Sequence, residues 1–303
     1  MSSNANHDLE AAIGLLCSLH DGDRGVLAVI ACGHDAVPRL QEVLLRSDPS
    51  GLFESRCRVV RALKALGSGD VLATFLSAPR LAADPVQRLG DEAVVEAAAR
   101  ALVEVRRDDA DFRLLLKLGH ELFYLAGVVE ALGSFDRPEA APVLVLALGE
   151  DTARPSAEAA LERLGRAALR FLVPVATSPY PSTNIESDAS RRKRRSALAL
   201  ILRIGCTRWT WPCLRSLAGD KDTRISALAC KLCLQHGSTT ERAKAAGRLA
   251  ELLAGADWML RAEIQDGWAG RTDLSGVHVD SKGQAAEPPS PTPPIDKFGR
   301  NPT

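Results

Sequence analysis

A six-residue phrase recurs along this chain of 303 residues, and its spacing limits the folds open to it. Two apolar residues are followed by two variable ones, an apolar residue and glycine. The phrase reads Ala62-Leu63-Lys64-Ala65-Leu66-Gly67, Val128-Val129-Glu130-Ala131-Leu132-Gly133, Ala160-Leu161-Glu162-Arg163-Leu164-Gly165 and Leu200-Ile201-Leu202-Arg203-Ile204-Gly205. Weaker copies end at Gly33 and Gly237, and one without its glycine ends near Arg106. From Gly33 to Gly237 these ends lie about 34 residues apart on average, a period typical of stacked repeat architectures. Apolar positions three and four apart make one stripe on a helix. The closing glycine takes the left-handed conformation cheaply, so it marks where a helix stops and the chain turns.

A second apolar segment follows each phrase. Examples are Ala36-Val37-Pro38-Arg39-Leu40, Ala140-Ala141-Pro142-Val143-Leu144 and Trp211-Pro212-Cys213-Leu214. Proline recurs near the start of these segments, where its missing N–H costs nothing. Each unit therefore reads as helix, tight turn, helix, and such a pair buries its apolar face only against neighbouring pairs. Composition agrees. Aromatic residues are only 4% of the chain, too few for a large β-rich core.

The pattern resembles the HEAT-like repeats, in particular the short variety also found in phycobilin lyases. Gly33-His34-Asp35-Ala36-Val37-Pro38-Arg39-Leu40 matches the second-helix phrase of that family well. Those repeats carry an arginine eleven residues before the closing glycine, and Arg56, Arg154 and Arg194 stand at that position here. Leu122 and Ser226 occupy it in two other units, so the match is partial. The resemblance covers roughly residues 8 to 268. It implies an all-α, right-handed α-solenoid of about seven helical pairs. A less regular pair is expected at Asp8 to His20 and a closing helix near Asp257 to Trp268.

Two regions fall outside the pattern. Residues 177 to 189, TSPYPSTNIESDA, read as a polar loop inserted between units. Residues 269 to 303 are proline-rich and read as a disordered tail. Pro288 to Pro291 and Pro291 to Pro294 fit P-x-x-P spacing, but such matches arise readily from composition alone. The first ten residues lack the basic and apolar regions of a signal peptide, and the longest strongly apolar run, 197 to 204, is too short to span a bilayer. A cytoplasmic location without membrane contact is the expectation, with the seven cysteines reduced.

No catalytic constellation is visible, nor any motif for a cofactor or small-molecule substrate, so the chain reads as no enzyme. Cys206, Cys213, Cys230 and Cys233 offer four thiols, yet Cys230 and Cys233 fall mid-helix on the apolar face, which favours buried core thiols over a metal site. His120 lacks a second histidine four residues on, and the remaining histidines are scattered.

Charge is balanced, with 38 cationic and 38 acidic residues, but it is unevenly spread. Residues 84 to 162 hold 16 acidic and 8 basic side chains, whereas residues 188 to 224 hold 10 basic and 3 acidic. Five consecutive cations, Arg191, Arg192, Lys193, Arg194 and Arg195, occupy the first turns of a helix, where they oppose its dipole. Arg194 has a structural reading as the repeat's arginine. The other four suit a solvated rim, a match to the acidic middle units, or an anionic partner. A helical wheel of the next segment places Cys206, Trp209, Cys213 and Leu217 on one side, and Arg208, Trp211 and Arg215 on the opposite, solvent-facing side. Arg191, Arg192, Lys193, Arg195, Arg208, Trp211 and Arg215 are therefore the candidate partner-binding residues. The leading expectation is a non-catalytic protein–protein interaction scaffold. A nucleic-acid binder using the same residues is the alternative, similar only in fold to the HEAT-like DNA glycosylases. A bilin-lyase relative is a further one.

Overall fold

A computed structural model of the protein describes residues 3–46, 53–181 and 185–266. Every regular element among them is helical. After α1 (Ser3–Leu16) come α2 (Gly22–Ala31) and α3 (Val37–Leu45), α4 (Glu54–Ala65) and α5 (Gly69–Ser77), and α6 (Pro85–Val105) and α7 (Asp109–Glu121). They continue as α8 (Ala126–Gly133) and α9 (Ala141–Ala147), and α10 (Arg154–Leu164) and α11 (Leu169–Thr177). The last are α12 (Asp188–Ile204) and α13 (Trp211–Leu214), α14 (Thr223–His236) and α15 (Thr239–Ala254), and finally α16 (Trp258–Asp266). Short 3-10 turns lead into α3, α9 and α11, and another, Arg215–Gly219, prolongs α13. Pro38, Pro142 and Pro212 sit in the first turn of α3, α9 and α13, as their fixed φ favours. No helix among the described residues is long and apolar enough to cross a membrane.

Contacts follow the order of the chain. α2 touches α4, α4 touches α6, and the same step continues through α8, α10, α12 and α14. In parallel, α3 touches α5, and the step continues through α7, α9, α11 and α13. Buried Leu, Val, Ile and Ala side chains from Leu9 to Leu232 form one continuous apolar cluster. A smaller cluster, including Cys230, Leu249 and Ile264, joins α14, α15 and α16.

Ion pairs link many of the same neighbours. Arg61 on α4 reaches Asp23 on α2 at 2.5 Å, Arg100 on α6 reaches Glu130 on α8 at 2.8 Å, and Arg203 on α12 reaches Glu162 on α10 at 3.2 Å. These pairs are exposed and each contributes about 0–1 kcal/mol. The apolar interior carries the fold.

The closing glycines divide into two groups. Gly33, Gly67, Gly165 and Gly205 have φ of 70°, 68°, 56° and 97°, as the turn requires. Gly133 and Gly237 depart from the expectation. Gly133 is the last residue of α8, and the positive φ falls three residues later, at Asp136 (52°). Gly133 is instead a close-contact position, because a Cβ there would lie 2.5 Å from the Ala160 Cβ. Gly237 has an extended backbone with φ −73° and ψ 161°, and the capping Ser238 that begins α15 follows at once.

The arginine position has a physical role at both of its buried occurrences. Arg56 is 6% exposed, donates to the Leu44 carbonyl at the end of α3 at 3.1 Å, and pairs with Asp91 on α6 at 2.5 Å. Arg194, 3% exposed, donates to the Ala176 carbonyl near the end of α11 at 3.0 Å. It also pairs with Glu186 and Asp220. Each arginine thus satisfies a helix-end carbonyl that has no partner within its own helix. Ser226 does the same on a smaller scale, donating to the Ala218 carbonyl at 2.6 Å. Arg154 does not follow the pattern: it starts α10 at the surface and pairs with Asp151 at 2.8 Å.

The chain start also differs from expectation, since residues 8 to 20 hold the single helix α1 rather than a pair. Arg58 ties α1 down by donating to the carbonyls of Leu16 and Ser18 at 2.8 and 2.7 Å. Its guanidinium lies where a Cβ on Gly22 would be, 2.0 Å from Cζ. The expected closing helix is α16, with Asp257 accepting from the Leu260 N–H at 2.7 Å, while Trp268 and the proline-rich tail lie outside the described residues.

Candidate functional site

The basic run forms the first two turns of α12. Ser187 caps that helix, accepting from the Ser190 N–H at 3.2 Å, and Asp188 pairs with Arg191. That hydrogen bond and charge hold the Asp188 carboxyl below its usual range.

The surplus cations are engaged within the chain. Arg192 donates to the Gly149 carbonyl at 3.1 Å and lies 3.4 Å from Asp151. Arg195 meets Asp222, the cap of α14, through Nε at 3.1 and 3.2 Å and a terminal nitrogen at 2.5 Å. Burial alone raises the Asp222 carboxyl pKa, but the Arg195 contact and the N–H groups of Ile225 and Arg224 prevail and lower it. Lys193 has no ion pair among the described residues, and its stem covers Gly149. Arg194 draws Glu186 from the inserted segment, at 2.8 Å, into its buried network. The insertion is therefore joined to α12, and Ser190 reinforces this by donating to Glu186 at 2.7 Å. Residues 182–184 of the insertion lie outside the described residues. An open groove of about 1330 Å³ runs between this segment and the start of α14, beside Arg191 and Asp220.

The expected Arg208, Trp211 and Arg215 face is not formed. Arg208 and Arg215 are exposed, but Trp211 is half-buried, packs against both apolar clusters and lies 6.3 Å from the His236 ring. The exposed tryptophan is Trp209, 75% accessible, with the Arg208 guanidinium 4.6 Å from its ring centre. The helical wheel assumed regular α geometry from Cys206 to Leu217. In fact Thr207 and Thr210 build a turn, the Thr207 N–H donating to Thr210 Oγ1 at 2.9 Å and the Thr210 N–H to Thr207 Oγ1 at 3.2 Å. α13 then spans only Trp211–Leu214 before the 3-10 segment, whose three residues per turn rotate the faces. A paired Thr-x-x-Thr before a proline was the signal available for that turn.

Cys230 and Cys233 are buried in α14, and burial pushes the Cys230 thiol up to about 11. Cys17 and Cys213 are exposed. Among the described residues, no three His, Cys, Asp or Glu side chains gather where a metal ion would be held.

No family model matches the chain, and no curated protein matches it.

Proposed function

We propose that this chain is a non-catalytic interaction scaffold, built as a right-handed α-solenoid of HEAT-like helical pairs and presenting its surface to a protein partner. The observation that carries this reading is the order of the contacts. Each helix touches its counterparts one step away along the chain, as expected of a structure that grows by addition and leaves long faces free. The exposed Arg208–Trp209 pair, just past the end of α12, is the proposed hot spot, since Trp and Arg dominate interface energetics. The ion pairs of Arg191, Arg192 and Arg195 break the basic run into separate, locally compensated groups, which suits a discrete protein surface better than a continuous phosphate backbone.

Affinity capture from native lysate, with and without nuclease, tests the reading. A defined protein retained after nuclease, and weakened by Trp209→Ala, is the expected result. Retention only of nucleic acid, falling steeply with salt, would contradict it.

A further inference from the structure

The starts of α10, α12 and α14 meet at a cleft of about 510 Å³. Arg154, Arg192, Arg195 and Arg224 line it, together with Asp151 and Glu158. Ser196, Ala199 and Leu228 complete the lining. Arg192, Arg195, Ser196 and Ala199 follow helical spacing and form one face of α12. We infer that this cleft receives a phosphorylated side chain of a partner protein.

With Asp222, the partner of Arg195, three carboxylates face the four guanidinium groups, so the lining keeps a small excess of positive charge. The existing pairs hold these arginines without exhausting them. Asp151 accepts from Arg154 at 2.8 Å, the Gly149 carbonyl accepts from Arg192 Nε at 3.1 Å, and Asp222 accepts from Arg195. Each guanidinium carries five N–H donors, so terminal donors remain on all three, pre-oriented by their acidic neighbours. Ser196 also lines the cleft, and its hydroxyl, which makes no hydrogen bond within the described residues, offers one more donor there. The first turns of α10 and α14, which carry Arg154 and Arg224, add the positive ends of two helix dipoles.

The shape selects the class of anion. The arginines converge on one small cleft instead of repeating along a track. A single dianionic group suits converging arginines, and Ala199 and Leu228 offer apolar contact for the stem that carries it.

The inference rests on the scaffold reading, and the two are tested separately. Arginine Nε signals of the full chain are followed by proton–nitrogen correlation spectra. The titrants are N-acetyl-O-phosphoserine amide, N-acetyl-aspartate amide and a short oligothymidine. The phosphoserine probe should shift and saturate the Arg154, Arg192 and Arg195 signals, binding about tenfold tighter than the aspartate probe. Arg192→Gln should weaken it about tenfold and Ser196→Ala about threefold, with the unfolding transition little changed. Arg195→Gln is a poorer test because it also removes the Asp222 contact. Unmoved signals, or saturation by oligothymidine alone, would overturn the inference. Partner capture that survives Arg192→Gln would remove the cleft while leaving the scaffold standing.

Discussion

Arg56 and Arg194 are single residues that tie together three and four segments of the chain, and their loss is correspondingly costly. Arg56→Ala leaves Asp91 buried with the Ala82 N–H as its remaining donor, and should destabilise the fold by about 3–5 kcal/mol in chemical denaturation. Combining Arg56→Met with Asp91→Leu should recover most of that loss, because no unpaired charge then stays buried. Asp222 makes stability depend on pH. Its folded pKa lies below its unfolded value, so its contribution is present above the unfolded pKa and is lost as pH falls through the folded one. Wild type and Asp222→Asn should therefore differ in denaturation midpoint near neutral pH and converge below about pH 4. The resemblance to HEAT-like repeats marked Arg194 as structural, as it did Arg154, which instead pairs at the surface. The Arg194 partners Glu186 and Asp220 were not legible, because they come from the inserted segment and from the turn before α14, and only folding brings them together.

At the scale of elements, two glycines with opposite roles make a clean comparison. Gly133→Ala places a Cβ against Ala160, where α8 meets α10, and should cost about 1–3 kcal/mol by thermal or chemical unfolding. Gly247→Ala, inside α15 with nothing within 4 Å of the new Cβ, should stabilise by about 0.5–1 kcal/mol. The recurring phrase made the alternating helices legible because core spacing and helix stops are both local signals. It failed at Gly133 for the same reason. A glycine required by a neighbouring helix looks identical in sequence to one required by a turn. The reversal of Trp209 and Trp211 has a similar origin: a short 3-10 segment changes which side chain is covered without altering the apolar pattern.

At the scale of the whole molecule, the account rests on growth by addition. Exposure gives a direct handle on this, since Cys17 and Cys213 lie near the two ends of the run from α1 to α13 and are exposed, while Cys230 and Cys233 are buried. Alkylation of the native chain, read by peptide mass spectrometry, should modify Cys17 and Cys213 first and Cys230 and Cys233 only on unfolding. The partial exposure of Cys32, Cys57 and Cys206 makes Cys→Ser variants at those positions the suitable background for selective labelling. With spin labels on Cys17 and Cys213, pulsed dipolar spectroscopy measures the span of the array. Successive helices packed 8–10 Å apart over six steps predict a distance of roughly 48–60 Å. A distance below about 30 Å, as in a compact body of this length, would contradict the solenoid and with it the extended surface on which the proposed function depends.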